Sequence, residues 1–251
     1  MTLDLNQKKI SDLVGENYLY ASVLHYFGIQ FYDYSEQTLH QVCQEKGICV
    51  ESLINGLESA VQVNENEEVA LVGYPVELVI EYLKHAHFLF INRRLPYITT
   101  LVADLAEGPG PYESIVKDLK FVFPLFVEDF IHHIHEEEDS LFRYVELLKK
   151  VTSGKYNPSR VYYEMEKYSI QQHAIDHDVH DSEMKGIRNI TDDYKLDVNA
   201  PLHIKVVYAE LESFEKSLVT HARIEDEIFF PKALVLERQV KNVLQQKLRS
   251  N

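Results

Sequence analysis

Apolar positions recur at helical spacing over residues 8–27, 36–46 and 50–61, punctuated at Gly28 and Gly47, and this pattern predicts three short helices. The acidic polar stretch "VNENEEV" after them predicts a linker over 63–74. Four longer periodic segments follow, at about 75–105, 112–152, 159–190 and 200–248, separated by "AEGPGPY", "SGKYNP" and "DDYKLDVNAP". Long helices with short connections predict an antiparallel four-helix bundle. Strand-like alternation is hard to find, so the expected class is all-α, with a small helical N-terminal domain over 1–62 and the bundle over 75–251. Pro124 lacks an N–H donor and predicts a kink in the second long helix or a break near residue 120.

Steps of three and four trace the inward-facing line of each long segment. In the fourth segment the line is Val207, Leu211, Phe214, Leu218, His221, Glu225 and Ile228. In the second it is Phe126, Phe130, His133, Glu137, Ser140, Tyr144 and Leu147. The first follows Val76, Ile80, Leu83, His87 and Phe90, which favours His87 over His85, its alternative about 200° around the helix. The third segment admits Ile170, His173, His177, His180 and Met184, or Ile170, Ala174, His177, Asp181 and Met184. His177 belongs to both lines.

Each core seam therefore carries a histidine, and two carry a glutamate one turn later. "HIHEEEDSLF" from His133 and "HARIEDEIFF" from His221 repeat the same His-x-x-x-Glu device. Residues four apart stack on one helix face, close enough to approach one metal centre together. Burying such groups without partners costs several kcal/mol each, on the order of a lost charge or hydrogen bond, and divalent cations would offset that cost. Imidazole with carboxylate suits iron, zinc or manganese, and two cysteines cannot build a four-thiolate site. Six candidate ligands, His87, His133, Glu137, His177, His221 and Glu225, exceed what one ion usually takes. Two ions fit better, each with two histidines, and with Glu137 and Glu225 able to bridge.

The remaining polar residues receive plainer readings. His25, His40, His85, His132, His135 and His203 are read as exposed or locally hydrogen-bonded, and Glu136 and Glu138 as solvating the outer face. Phe142, Phe229 and Phe230 are read as core packing, and Cys43 as a buried structural thiol. His173 and His180 stay open as a further ligand, an outer donor to the site or part of a polar face.

Lys plus Arg is 25 against 40 for Asp plus Glu, a formal net charge of -15, which argues against nucleic acid and anionic membrane surfaces as partners. Neither a signal-type start nor an apolar run of membrane length is present, and Cys43 and Cys49 suit a reducing compartment, so the expected location is cytoplasmic. A homo-oligomer is allowed by the sequence.

The bundle segment resembles hemerythrin-like domains, and the whole layout resembles the di-iron repair-of-iron-centres family, associated with iron–sulfur clusters damaged by nitric oxide or oxidants. The resemblance rests on "KHAHFLFINRRLPYI", "HIHEEEDSLF", "IDHDVHD" and "HARIEDEIFFP", and covers nearly the whole chain. It implies two non-haem iron ions held by His87, His133, Glu137, His177, His221 and Glu225, with bridging carboxylates and an oxo or hydroxo bridge. It also implies dioxygen or nitric oxide as small ligands, and damaged iron–sulfur proteins as clients. Two positions depart from the family. Phe88 stands where the family usually has its first histidine, and Tyr32, Asp33, Tyr34 and Ser35 stand where it often has a Cys-Cys pair.

Overall fold

The computed structural model describes residues 2–62, 71–152, 154, 156–180 and 184–250, and within these the side chains of 2–4, 61–62, 176–180 and 247–250 lie outside the description. No strand forms among the described residues; an isolated bridge joins Lys9 and Thr38. The protein is all-α. The N-terminal helices are α1 (Thr2–Gln7), α2 (Ile10–Glu16), α3 (Leu19–Tyr26), α4 (Leu39–Lys46) and α5 (Val50–Gln62). The long segments comprise α6 (Val76–Leu89), α7 (Leu95–Ala103), α8 (Glu113–Glu136), α9 (Arg143–Thr152), α10 (Pro158–Lys167), α11 (Ile170–His180), α12 (Lys185–Ile190), α13 (Leu202–Ile224) and α14 (Phe230–Ser250). Three π-helical turns join some of them: π1 (Phe90–Arg94), π2 (Glu137–Phe142) and π3 (Glu225–Phe229).

Local chemistry explains where helices stop. Thr38 and Gln41 form a capping box at the start of α4, and Gly47, at φ 67°, ends it in the left-handed region. The single helix expected over 8–27 is divided, because Asn17 is extended and its Oδ1 accepts from Leu19 N at 3.0 Å, capping a fresh start for α3. The third long segment, expected unbroken over 159–190, is divided for the same kind of reason. Tyr168 is extended after α10, and the Ser169 hydroxyl accepts from Gln172 N at 3.3 Å at the start of α11. The second long segment does the opposite: α8 runs through Pro124 without the break expected near residue 120.

The chain divides into two compact units. One gathers Met1–Val69 with Tyr97–Val116 and Thr191–Ser213. Within it Tyr32 donates to Asp104 at 2.5 Å and stacks on His203 with ring centroids 4.4 Å apart, while His203 Nε2 donates to the Leu101 carbonyl at 2.9 Å. These long-range ties bring three chain segments into one unit, a grouping that punctuation along the sequence does not reveal. Most of the linker expected at 63–74 lies outside the described residues; Leu71–Gly73 forms a single 3₁₀ turn.

The other unit gathers Ala70–Pro96, Lys117–Ile190 and Phe214–Asn251. Its core joins Val79, Ile80 and Leu83 of α6 to Val145 and Leu148 of α9, and to Phe230, Ala233, Leu236 and Val240 of α14. Each large apolar side chain buried here contributes about 1.5–3 kcal/mol relative to exposure. Phe142 is fully buried and packs edge-on to Phe229 at 5.3 Å. Phe142→Ala should therefore lower unfolding free energy by about 3–5 kcal/mol, measurable by urea denaturation.

Candidate metal centre

Two helical turns place the same pair of residues twice. His133 and Glu137 leave the end of α8, and His221 and Glu225 leave the end of α13; in each case a π turn begins at the glutamate. A third π turn begins three residues after His87. Single π turns inside α-helices insert one residue and re-aim side chains, and they are frequent at functional sites. In π2 the Ser140 hydroxyl donates to the Glu136 carbonyl at 2.5 Å, giving that carbonyl at the edge of the widened ladder a donor.

The inserted residue shifts the seam. Beyond Glu137 the expected line Ser140, Tyr144 and Leu147 gives way to Leu141, Val145 and Leu148, with Tyr144 also buried beside them. Ser140 and Leu147 are half-buried. Beyond Glu225, Ile228 is half-buried and the buried line is Phe229, Ala233, Leu236, Val240 and Leu244. The unbroken 3.6-residue period is therefore wrong past each glutamate, by one position.

Four of the six candidate ligands come together. His87, Glu137, His221 and Glu225 are all buried, and one ligand atom from each lies within 4.8 Å of the other three. His87 Nε2 is 3.0 Å from His221 Nε2 and 3.4 Å from Glu137 Oε2, while His221 Nε2 is 3.2 Å from Glu225 Oε1. His133 stands at the edge, its Nε2 3.8 Å from Glu137 Oε1 and its side chain 19 % exposed. His177 lies on α11, but its side chain is outside the described residues, as is that of His180. His85 is exposed, so the first helix presents His87 inward; Phe88, in the position where the family's histidine usually falls, is also exposed. His173 is partly exposed and its ring stacks on Tyr168 at 6.3 Å.

Apolar rings enclose the group. Phe142 lies parallel to the His87 ring at 5.7 Å, and Phe90 meets the His221 ring edge-on at 5.6 Å. Behind Phe90, the rings of Phe126, Phe130 and Phe214 form a mutually packed cluster. In so dry a setting polar interactions strengthen and unpartnered polar atoms become costly. Burial, and then the neighbouring His221, push the His87 pKa down to about 4 against an opposing bond from Glu138, so His87 is neutral at neutral pH.

The donor set tests whether a cation fits. The carboxylate of Glu138 accepts a hydrogen bond from His87 Nδ1 at 2.8 Å, so Nδ1 carries the ring hydrogen and the Nε2 lone pair faces inward. Opposite it, His221 Nε2 must then donate, which leaves a lone pair on His221 Nδ1, and that atom is buried without a hydrogen-bond partner. A metal ion among the four side chains would take the inward-pointing Nε2 lone pairs of both rings, which the ring-to-ring bond cannot do, and its charge would offset the buried carboxylates of Glu137 and Glu225. Neutral imidazoles and carboxylates suit a borderline divalent metal such as iron. The residues present fit one.

Glu138 is the residue that spacing misread, since it was expected on the outer face and instead bonds His87 across two helices. Its neighbour Glu136 is exposed as expected. Phe142, Phe229 and Phe230 are core residues, Cys43 is buried, and burial pushes its thiol pKa up.

A pair of inward His-Glu turns in a helical bundle, with Glu137, His221 and Glu225 buried, defines a cation-binding class, and residues 79–233 match the hemerythrin HHE cation binding domain. The chain belongs to that family. It is also similar over most of its length to proteins named iron-sulfur cluster repair protein ScdA. One from Staphylococcus epidermidis is 21% identical, covering 89% of this chain and 96% of its own. Another from Staphylococcus haemolyticus is 19% identical, covering 90% of this chain and 98% of its own. No helix among the described residues is long and apolar enough to cross a membrane.

Proposed function

We propose that this protein is a non-haem di-iron protein that takes part in repairing iron–sulfur clusters damaged by nitrosative or oxidative stress. The observation that carries the metal reading is the buried group of His87, Glu137, His221 and Glu225, whose ring nitrogens point at one another across 3.0 Å. The repair reading is supported by its similarity, nearly end to end, to proteins named for that role. Glu137 and Glu225 would bridge two ions, and His133 and His177 would complete the set; bound iron would supply one-electron chemistry or iron itself. The chain's own contribution is to hold imidazoles and two carboxylates in an aromatic enclosure that limits water.

The test is to mix the iron-loaded protein with a purified dehydratase whose [4Fe–4S] cluster has been damaged by nitric oxide. Recovery of dehydratase activity is expected with the native chain and not with the Glu137→Ala/Glu225→Ala variant. Equal recovery with both would exclude the centre from repair. A second reading, reversible binding of dioxygen or nitric oxide, is favoured by the enclosing phenylalanines and by Tyr32 standing where a thiol pair would be. A reversible visible absorption change on adding and removing oxygen from the reduced protein would select it.

A further inference from the structure

The carboxylate pair "EE" at 137–138 does two jobs, because π2 turns neighbouring side chains in different directions. Glu137 enters the buried group, whereas the side chain of Glu138 remains 34 % exposed and reaches His87 on α6, with Oε1 2.8 Å from Nδ1. His87 itself is 1 % exposed, and its ring is held parallel to Phe142. Its two nitrogens therefore face different surroundings: Nδ1 meets the carboxylate and Nε2 meets the buried group.

We propose that Glu138 is a positioning residue for His87, holding the Nδ1–H tautomer and the ring angle that aim the Nε2 lone pair at a metal in the buried group; this rests on the metal reading above. A neutral imidazole has one lone pair, and a bond from the other ring nitrogen decides which nitrogen presents it. A carboxylate acceptor also raises the ligand's basicity, and loss of such partners typically weakens metal binding 10- to 100-fold or thereabouts. Without Glu138, Nδ1 would face partly exposed surface with no fixed acceptor, and the Nε2–H tautomer would put a hydrogen where the lone pair is needed. A charge-assisted bond of this geometry is among the stronger kinds, so the preference should be firm.

Two measurements on the full chain test this. In the metal-free protein, ¹⁵N–¹H correlations of the imidazoles should report His87 as the Nδ1–H tautomer in the wild type and in Glu138→Gln, which keeps a carbonyl acceptor, and should move toward Nε2–H in Glu138→Ala. Cobalt(II) affinity, measured against a competing chelator, should fall about 10- to 100-fold in Glu138→Ala and by clearly less in Glu138→Gln, which keeps an acceptor but not the charge. The melting temperature of the metal-free chain should not fall with it, since the residue is partly exposed. An unchanged tautomer or unchanged cobalt affinity in Glu138→Ala would overturn the proposal, as would equal losses in both variants. If His221→Ala binds cobalt as tightly as the wild type, the metal reading itself fails, and the tautomer result separately decides whether Glu138 orients His87.

Discussion

Glu137→Ala combined with Glu225→Ala should abolish the iron content of the protein, from about two ions per chain to none. Both carboxylates are buried, at 7 % and 1 % exposure, and each lies within 3.4 Å of an imidazole of the group. Together they supply all the negative charge of the four-residue group, so an incoming divalent cation would lose its charge compensation as well as two ligands. The metal-free variant should fold as well as the metal-free wild type or better, because two buried like charges are gone. The check is metal analysis after anaerobic, iron-replete expression, alongside a thermal melt. Retained iron in a folded variant would remove these residues from the site.

Inserting one alanine after Asp226 should cost the protein the docking of α14. π3 already holds one residue beyond the α-helical repeat, so a further residue would rotate everything downstream by about 100°. Phe229, Leu236, Val240 and Leu244 now form the buried stripe, and turning them out of the core would forfeit about 6–12 kcal/mol, as much as a typical domain's whole stability. Circular dichroism and thermal melting should reveal a loss of cooperative unfolding. A variant that melts cooperatively within a few degrees of the wild type would mean that π3 absorbs a further residue and does not fix the register of α14.

The fold class and the inward pairs were legible because helical periodicity places residues four apart on one face, and His133, Glu137, His221 and Glu225 all obey it. His87 was separable from His85 by the same reasoning, and the structure leaves His85 exposed. The π turns were not legible from period alone, because each glutamate is followed four residues on by an apolar pair, Leu141-Phe142 and Phe229-Phe230, that lets either register look core-like. Those apolar pairs are themselves the clue to an extra residue. The division of the third long segment could have been read from Ser169 and Gln172, which have helix-start spacing. Glu138 could not, since its partner is 51 residues away and only packing brings them together.

Neither the π turns nor the hydrogen bond of Glu138 bears on which metal is bound, so the central claim turns on an ion seen in place. Crystals grown from iron-loaded protein, with diffraction recorded on both sides of the iron absorption edge, give that observation. The account expects anomalous density among His87, Glu137, His221 and Glu225 that vanishes below the edge. Iron-loaded crystals with no anomalous density there, or with density only at the protein surface, would contradict it.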